Sequence, residues 1–325
     1  MKPIDDTEIP EIRELSSEEY DELVSLMELA FKDSIEEDRL DADELRKVLK
    51  KARTPIYRVL QRVLGVRMEF YIAKLEDTIA SGIQLNIKKD DVYVGNLMTH
   101  PKYRRRGLAR KILQVSYRRA DELGVRKVRL DARADNINAT SLYISEGFET
   151  TIHSGRFELD PVANIAKGAS NDLIVCEVNK IDTSVIDTML DDCFPSSYLE
   201  ARGRERFLES LLPSRAIRFF ARRLAGQSIN NYAFYVRGEE KPRGIIEATQ
   251  SRIERRIRLS SPILSSKDND ILMDVIPKVL KIESGNTGVT LASINCSMHR
   301  ADAISKIENL GFKKIRETIS MAKPL

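Results

Sequence analysis

The sequence predicts two tandem α/β domains, each a mixed, mostly antiparallel sheet with helices on both faces. Three observations carry that expectation: a length of 325 residues, an internal repeat, and a run of β-rich segments leading into a strongly amphipathic helix. Two domains of roughly 150 residues suit a chain of this length. Four short words recur in order. Ala30-Phe31 returns as Cys193-Phe194, and Ile56 to Gly65 as Ile217 to Gly226. Phe70 to Lys74 returns as Ala233 to Arg237, and Gly147-Phe148 as Gly311-Phe312. The offsets run from 161 to 164 residues, a period that means tandem domains rather than a solenoid. The expected domains are 1–160 and 172–325, joined by a linker of small and polar residues over 161–171.

Along the first half, Glu11 to Leu15 reads as a strand. Ser16 and Ser17 before Glu18 and Glu19 then open a helix reaching Phe31. Two charged amphipathic stretches follow, Asp43 to Lys51 and Ile56 to Leu64, stopped by Gly65. Glu69 to Lys74, Ile79 to Ile87 and Val92 to Thr99 form a meander with short polar turns. Leu108 to Leu123 is a helix with Ile112, Leu113 and Ala120 on its apolar face, ended by Gly124. A strand over Lys127 to Ala132, a helix over Ala139 to Ser145 and a strand from Phe148 complete the unit.

Composition narrows the function. Lys+Arg exceeds Asp+Glu by only 53 to 50, so charge gives no reason to expect nucleic acid or an anionic membrane as partner. The 3 cysteines form no metal-type pair, which reads as a reducing compartment with inert thiols. The acidic start is unlike a signal peptide, and no apolar run is long enough for a membrane helix. A cytoplasmic protein is expected. His100, His153 and His299 are isolated from any ligand spacing, so no metal is expected, and His100 reads as structural.

The segment Asn96-Leu-Met-Thr-His-Pro-Lys-Tyr-Arg-Arg-Arg-Gly-Leu-Ala-Arg110 carries the chemistry. It is a strand, a basic turn with one glycine, and the first turn of a long helix. Exposed amide N–H groups at such a turn, with the helix N-terminus, make a concave anion site suited to a pyrophosphate. By itself a basic turn is weak evidence, since such runs are usually solvated helix starts.

The segment resembles the central motif of the GCN5-related N-acetyltransferase (GNAT) superfamily, [QR]-x-x-G-x-[GA], here Arg104-x-x-Gly107-x-Ala109. A second family motif resembles Leu130-Asp131 through Asn136, Ala139, Leu142-Tyr143 and Gly147-Phe148. The resemblance is densest over Asn96 to Phe148 and implies acetyl-CoA as co-substrate. It implies that the backbone of Leu97, Met98 and Thr99 pairs with the pantetheine arm, and that a bulge splays this strand from its neighbour. It further implies that Arg104, Arg105, Arg106, Gly107, Leu108, Ala109 and Arg110 cradle the pyrophosphate, and that Asn136 contacts the cofactor arm. Tyr143 resembles the tyrosine that protonates the departing thiolate. The central strand, Val92 to Thr99, lacks the carboxylate some members use as base. Asp131 resembles the acid that others place on the following strand; a water-mediated route ending on Asp131 or Tyr93 is the alternative. Structural roles also exist for both: Tyr143 as a core aromatic, Asp131 as a strand end or a partner of Arg133.

The second half has no glycine between Gly244 and Gly285 and places Ile307 opposite Tyr143. It is expected to be non-catalytic and to stand where a partner subunit would, in a monomer. The acceptor is expected to be a primary amine on a small molecule or a protein, attacked directly in a ternary complex. A non-catalytic acyl-CoA sensor or scaffold is the rival reading.

Overall fold

A computed structural model describes residues 9–37, 46–47, 67–162, 165, 172–251, 254, 256–287 and 289–325. The two amphipathic stretches expected over 43–51 and 56–64 lie outside the described residues, apart from 46–47, as does most of the 161–171 linker.

The chain forms two compact units that do not follow chain order. Unit 1 comprises Met1–Asp131, Ser141–Glu149 and Met321–Leu325; unit 2 comprises Ala132–Thr140 and Thr150–Ser320. In unit 1, strand β1 (Glu11–Glu14) leads to α1 (Tyr20–Ala30) and α2 (Lys32–Glu37). The meander β2 (Arg67–Leu75), β3 (Thr78–Ile87) and β4 (Val92–Thr99) follows. A 3-10 turn, Pro101–Tyr103, then opens α3 (Leu108–Glu122), and β5 (Lys127–Arg133) returns. The sheet order is β1-β2-β3-β4-β5, antiparallel except for the β4–β5 pair, which is parallel. Parallel pairing there needs a crossover, and α3 supplies it.

Helix α1 begins later than its serines suggest. Ser16 Oγ donates to Glu19 Oε2 at 2.9 Å, and the turn it makes precedes the first helical residue, Tyr20. Glu19 also binds Arg13 and Lys74, whose hydrogen bonds hold its carboxyl well below the usual range. Leu23, Leu26 and Met27 of α1 pack on Ile72, Ile79 and Met98. Each fully buried aliphatic side chain there stabilises the unit by about 1.5–3 kcal/mol. The opposite face meets α3 through Glu69, 3% exposed, whose carboxylate takes Arg119 Nε and one terminal nitrogen at 2.9 Å each. Burial opposes ionisation of Glu69, but Arg119 and the Tyr71 hydroxyl outweigh it and hold the group below the ordinary carboxylate value.

Helix α4 (Ile137–Ser145) is followed by β6 (Glu149–Leu159). The rest of unit 2 starts with β7 (Leu173–Glu177). Five short helices then run as α5 (Thr183–Asp187), α6 (Leu190–Cys193), α7 (Ser196–Arg202), α8 (Arg204–Leu211) and α9 (Arg215–Phe220). Next come β8 (Gln227–Val236), β9 (Gly244–Ser251), β10 (Arg256–Leu259) and β11 (Ile263–Leu264). Helix α10 (Leu272–Thr287), β12 (Ala292–Ser297), α11 (Ala301–Asn309) and β13 (Lys313–Pro324) complete it. Strands β7-β8-β9-β10-β12 repeat the order and directions of β1 to β5, again with the last pair parallel. Strand β6, which ends the first sequence repeat, pairs antiparallel with β12 in unit 2. No described helix is long and apolar enough to cross a membrane.

Candidate functional site

Strand β4 breaks its own regularity at a glycine. Opposite β3, Leu85 faces Val94 and Gln84 faces Asn96, so Gly95 is the extra residue of a β-bulge. A Cβ at Gly95 would lie 2.8 Å from Asn86 Nδ2, so only glycine leaves that space open. Pairing with β5 stops at the same level, the last partners being Val94 and Leu130. Beyond it, residues Asn96 to Thr99 have no β5 partner, so their outward backbone groups can accept an added strand. Asp131 is the first β5 residue past the split, and Tyr93 OH donates to its Oδ2 at 3.0 Å. Arg133 pairs with Asp135 at 2.7 Å.

After β4 the chain turns sharply. His100 Nδ1 accepts from the Lys102 N–H at 3.1 Å and caps the 3-10 turn, the structural role expected of it. Arg105 and Gly107 both adopt positive φ, 66° and 71°. An arginine pays strain in that region, whereas Gly107 does not. Left-handed residues on either side of Arg106, which keeps a negative φ, turn successive backbone N–H groups toward one side, the shape of an anion nest. The first N–H groups of α3 add to it, since the earliest intrahelical bond to the turn comes from Lys111 to the Gly107 carbonyl at 3.0 Å. Leu108 is 3% exposed and packs with Leu75, Ala80 and Tyr103, anchoring the turn from below.

The arginines divide by role. Arg104 Nε donates to the Thr99 carbonyl at 3.4 Å. Arg106 lies over the Tyr103 ring at 5.6 Å. Arg105 is exposed with no side-chain partner among the described residues. Arg110 turns to α4, binding Ser145 Oγ at 2.8 Å and Glu146 at 3.1 Å. That ties the first turn of α3 to the end of the helix that carries Tyr143, a link that sequence spacing does not reveal.

Tyr143 is 7% exposed, edge-on to Phe148 at 5.8 Å. Among the described residues its hydroxyl has no hydrogen-bond partner, and burial pushes its pKa up to about 12. The phenol therefore stays protonated across the physiological range and can donate. Asn136 precedes α4, where its Oδ1 accepts from the Ala139 N–H at 3.2 Å, an N-cap bond. Among the described residues no group of three or more His, Cys, Asp or Glu is placed to hold a metal ion.

Unit 2 has filled the corresponding places with its own side chains. Between β10 and β11, the Pro262 carbonyl accepts from buried Arg300 at 2.6 Å, and Arg300 also donates to Asn269 Oδ1 at 3.0 Å. The Cys193 thiol lies 3.2 Å from the Leu264 carbonyl. The Ser266 N–H, opening the 3-10 helix Ser266–Ile271, donates to Asp192 Oδ2 at 2.8 Å. Ile307 lies wholly buried in the core.

A profile of the acetyltransferase (GNAT) family matches residues 25–148. No curated protein sequence matches at a significant level. Among solved structures, a tandem GNAT protein from the clavulanic acid biosynthesis pathway is 12% identical with a TM-score of 0.63, covering 97% of this chain and 98% of that one. A GCN5-related N-acetyltransferase from Sphaerobacter thermophilus is 14% identical with a TM-score of 0.62, covering 99% and 96%. At such identities the structural likeness speaks for the fold alone. Residues 25–148 thus match the acetyltransferase (GNAT) family profile, and the chain as a whole shares its fold with tandem GNAT proteins.

Proposed function

We propose that unit 1 is an N-acetyltransferase that moves the acetyl group of acetyl-CoA to a primary amine. The observation that carries this reading is the coincidence of the Gly95 bulge, the end of β4–β5 pairing at Val94, and the left-handed turn at Arg105 and Gly107. The residues fit the co-substrate: unpaired backbone for an amide-bearing arm, and clustered N–H groups with Arg105 for a pyrophosphate. When bound, acetyl-CoA supplies an activated thioester.

The acceptor amine must lose a proton before it attacks. Asp131 takes it, directly or through Tyr93 or water. As the new C–N bond forms and the C–S bond breaks, Tyr143 gives its proton to the leaving sulfur. Both proton positions belong to side chains, so no covalent enzyme intermediate is needed. Asn136, as the cap of α4, positions that helix. Unit 2 contributes no second cofactor site, and the chain works as a monomer in the cytoplasm.

Calorimetry with acetyl-CoA tests the reading first, followed by thiol release with a panel of amines. One site per chain, abolished by Gly107→Glu, together with amine-dependent thiol release, is the expected result. Two sites would overturn the assignment of unit 2. Binding without any amine-dependent release would favour an acyl-CoA sensor instead.

A further inference from the structure

The α1 side of the unit 1 sheet carries a ladder of amides at the bulge. Gln84 lies opposite Asn96, and Asn86 opposite Tyr93, so these four side chains share one face. That face is the one α1 covers, because a Cβ on Gly82 would lie 2.8 Å from Leu23 Cδ1. Asn96 Nδ2 donates to Gln84 Oε1 at 2.7 Å, and Gln84 Nε2 donates to Asn86 Oδ1 at 3.0 Å. The missing Cβ of Gly95 leaves room for this ladder, since it would lie 3.2 Å from Gln84 Nε2 as well as against Asn86.

The ladder leaves capacity unused. Each primary amide has two N–H donors and one carbonyl acceptor. Among the described residues Asn96 keeps its Oδ1 and one N–H, and Asn86 keeps both N–H groups. All three side chains are half-buried, a position open to a ligand. Beside them stand Tyr93 and Asp131, while Arg129, the register partner of Tyr93, is bound by Asp91. The face thus presents the Asp131 carboxylate, with Asp91 taken up by Arg129, and a set of neutral donors and acceptors.

We propose that Asn96, Gln84 and Asn86 orient the acceptor, and that the acceptor is an amine whose neighbouring carbons carry neutral hydrogen-bonding groups, an amide or hydroxyls. The inference rests on reading unit 1 as an N-acetyltransferase and names the acceptor class. A second ammonium would meet spare amide N–H groups of the wrong polarity. A free carboxylate would meet Asp131 with Arg129 already taken. A neutral amide or hydroxyl satisfies both the spare donors and the spare carbonyl.

The test uses the full chain, acetyl-CoA and four probes: glycylglycinamide, glucosamine, 1,4-diaminobutane and glycylglycine. Glycylglycinamide or glucosamine is expected to exceed the other two at least about tenfold in kcat/KM, the scale of one or two lost hydrogen bonds. Which of the two leads separates an amide source from a hydroxyl source. Asn86→Leu and Gln84→Met are each expected to raise KM for the preferred probe about tenfold, with kcat and the acetyl-CoA Kd changed less than about twofold. Gln84→Met keeps the side-chain length, so it tests the ladder even if Asn86→Leu folds poorly. Preference for 1,4-diaminobutane or glycylglycine, or a preference unchanged in the folded variants, overturns this inference alone. Acetyl-CoA binding with no turnover of any probe overturns the acyl-transfer reading and the inference with it.

Discussion

The same strand–turn–helix occurs twice in this chain, open in unit 1 and filled in unit 2. In unit 1 the turn after β4 directs N–H groups outward, with Arg105 unpartnered among the described residues. In unit 2 the equivalent turn already holds an anion, the carboxylate of Asp192 on the Ser266 N–H. Asn136 caps a helix in the first repeat; Arg300, its counterpart when Gly147 is matched to Gly311, is a buried donor to the Pro262 carbonyl. The helix–strand contact behind the sheet also differs. Glu69 on β2 binds Arg119 on α3, whereas Tyr232 on β8 donates to Glu283 on α10 at 2.6 Å. The two units therefore share a topology, while unit 2 holds internal bonds at the turn where unit 1 leaves backbone N–H groups open among the described residues.

The comparison breaks most severely at Gly107. Gly107→Glu puts a carboxylate in the turn of unit 1 and a side chain at a φ of 71°; acetyl-CoA affinity should fall at least about 100-fold by calorimetry. Tyr143→Phe removes the proposed proton donor of unit 1, leaving a side chain as unable to donate as Ile307 in unit 2. Stopped-flow thiol release should fall about 100-fold in kcat with acetyl-CoA affinity unchanged. Arg300→Met opens the filled place in unit 2 and leaves Asn269 and the Pro262 carbonyl short of a donor. Denaturant unfolding should show a loss of about 1–3 kcal/mol, and calorimetry no second acetyl-CoA site.

Smaller effects sharpen the contrast behind the sheets. Glu69→Gln should cost about 1–3 kcal/mol, since Arg119 keeps Glu122 and partial access to water. Because the folded Glu69 carboxyl titrates below its unfolded value, its contribution is present above about pH 4.3 and is lost as pH falls through the lower folded value. The acid limb of a wild-type stability profile should flatten in the variant. Tyr143, pushed up to about 12, should add no alkaline limb to kcat below about pH 10, the value at which an ordinary phenol is already half ionised.

Much of this was legible before any coordinates. Hydrophobic period and breaker residues located β2 to β5 and α3, and the left-handed turn followed from Gly107 in the family motif. A bulge in β4 was expected from the family resemblance, and Gly95 marks its place. What it serves was not readable, because register pairs Gln84 with Asn96 from strands separated by a turn, and periodicity carries no register. The resemblance placed Arg110 in the pyrophosphate cradle, and its bond to Glu146, just past the end of α4, was not readable from spacing. Asp192 and Arg300 were invisible for the same reason: each acts on residues distant in sequence. The helix start at Ser16 was placed too early because the Ser16–Glu19 bond closes a turn rather than the first helical residue.

The interleaving of the two units bears on how such a protein is made. Arg126 in unit 1 accepts a hydrogen bond from the Leu325 N–H at 3.0 Å, and β6 finds β12 only after nearly all of the second repeat has been synthesised. Contacts this distant in sequence delay folding, since the intervening chain must be closed before they form. During translation the first repeat emerges with β6 as an unpaired edge, a surface prone to association with other chains. A gene fragment ending at residue 160 would preserve that exposed edge permanently. The two halves, although copies in topology, each hold a strand whose pairing partner is encoded in the other.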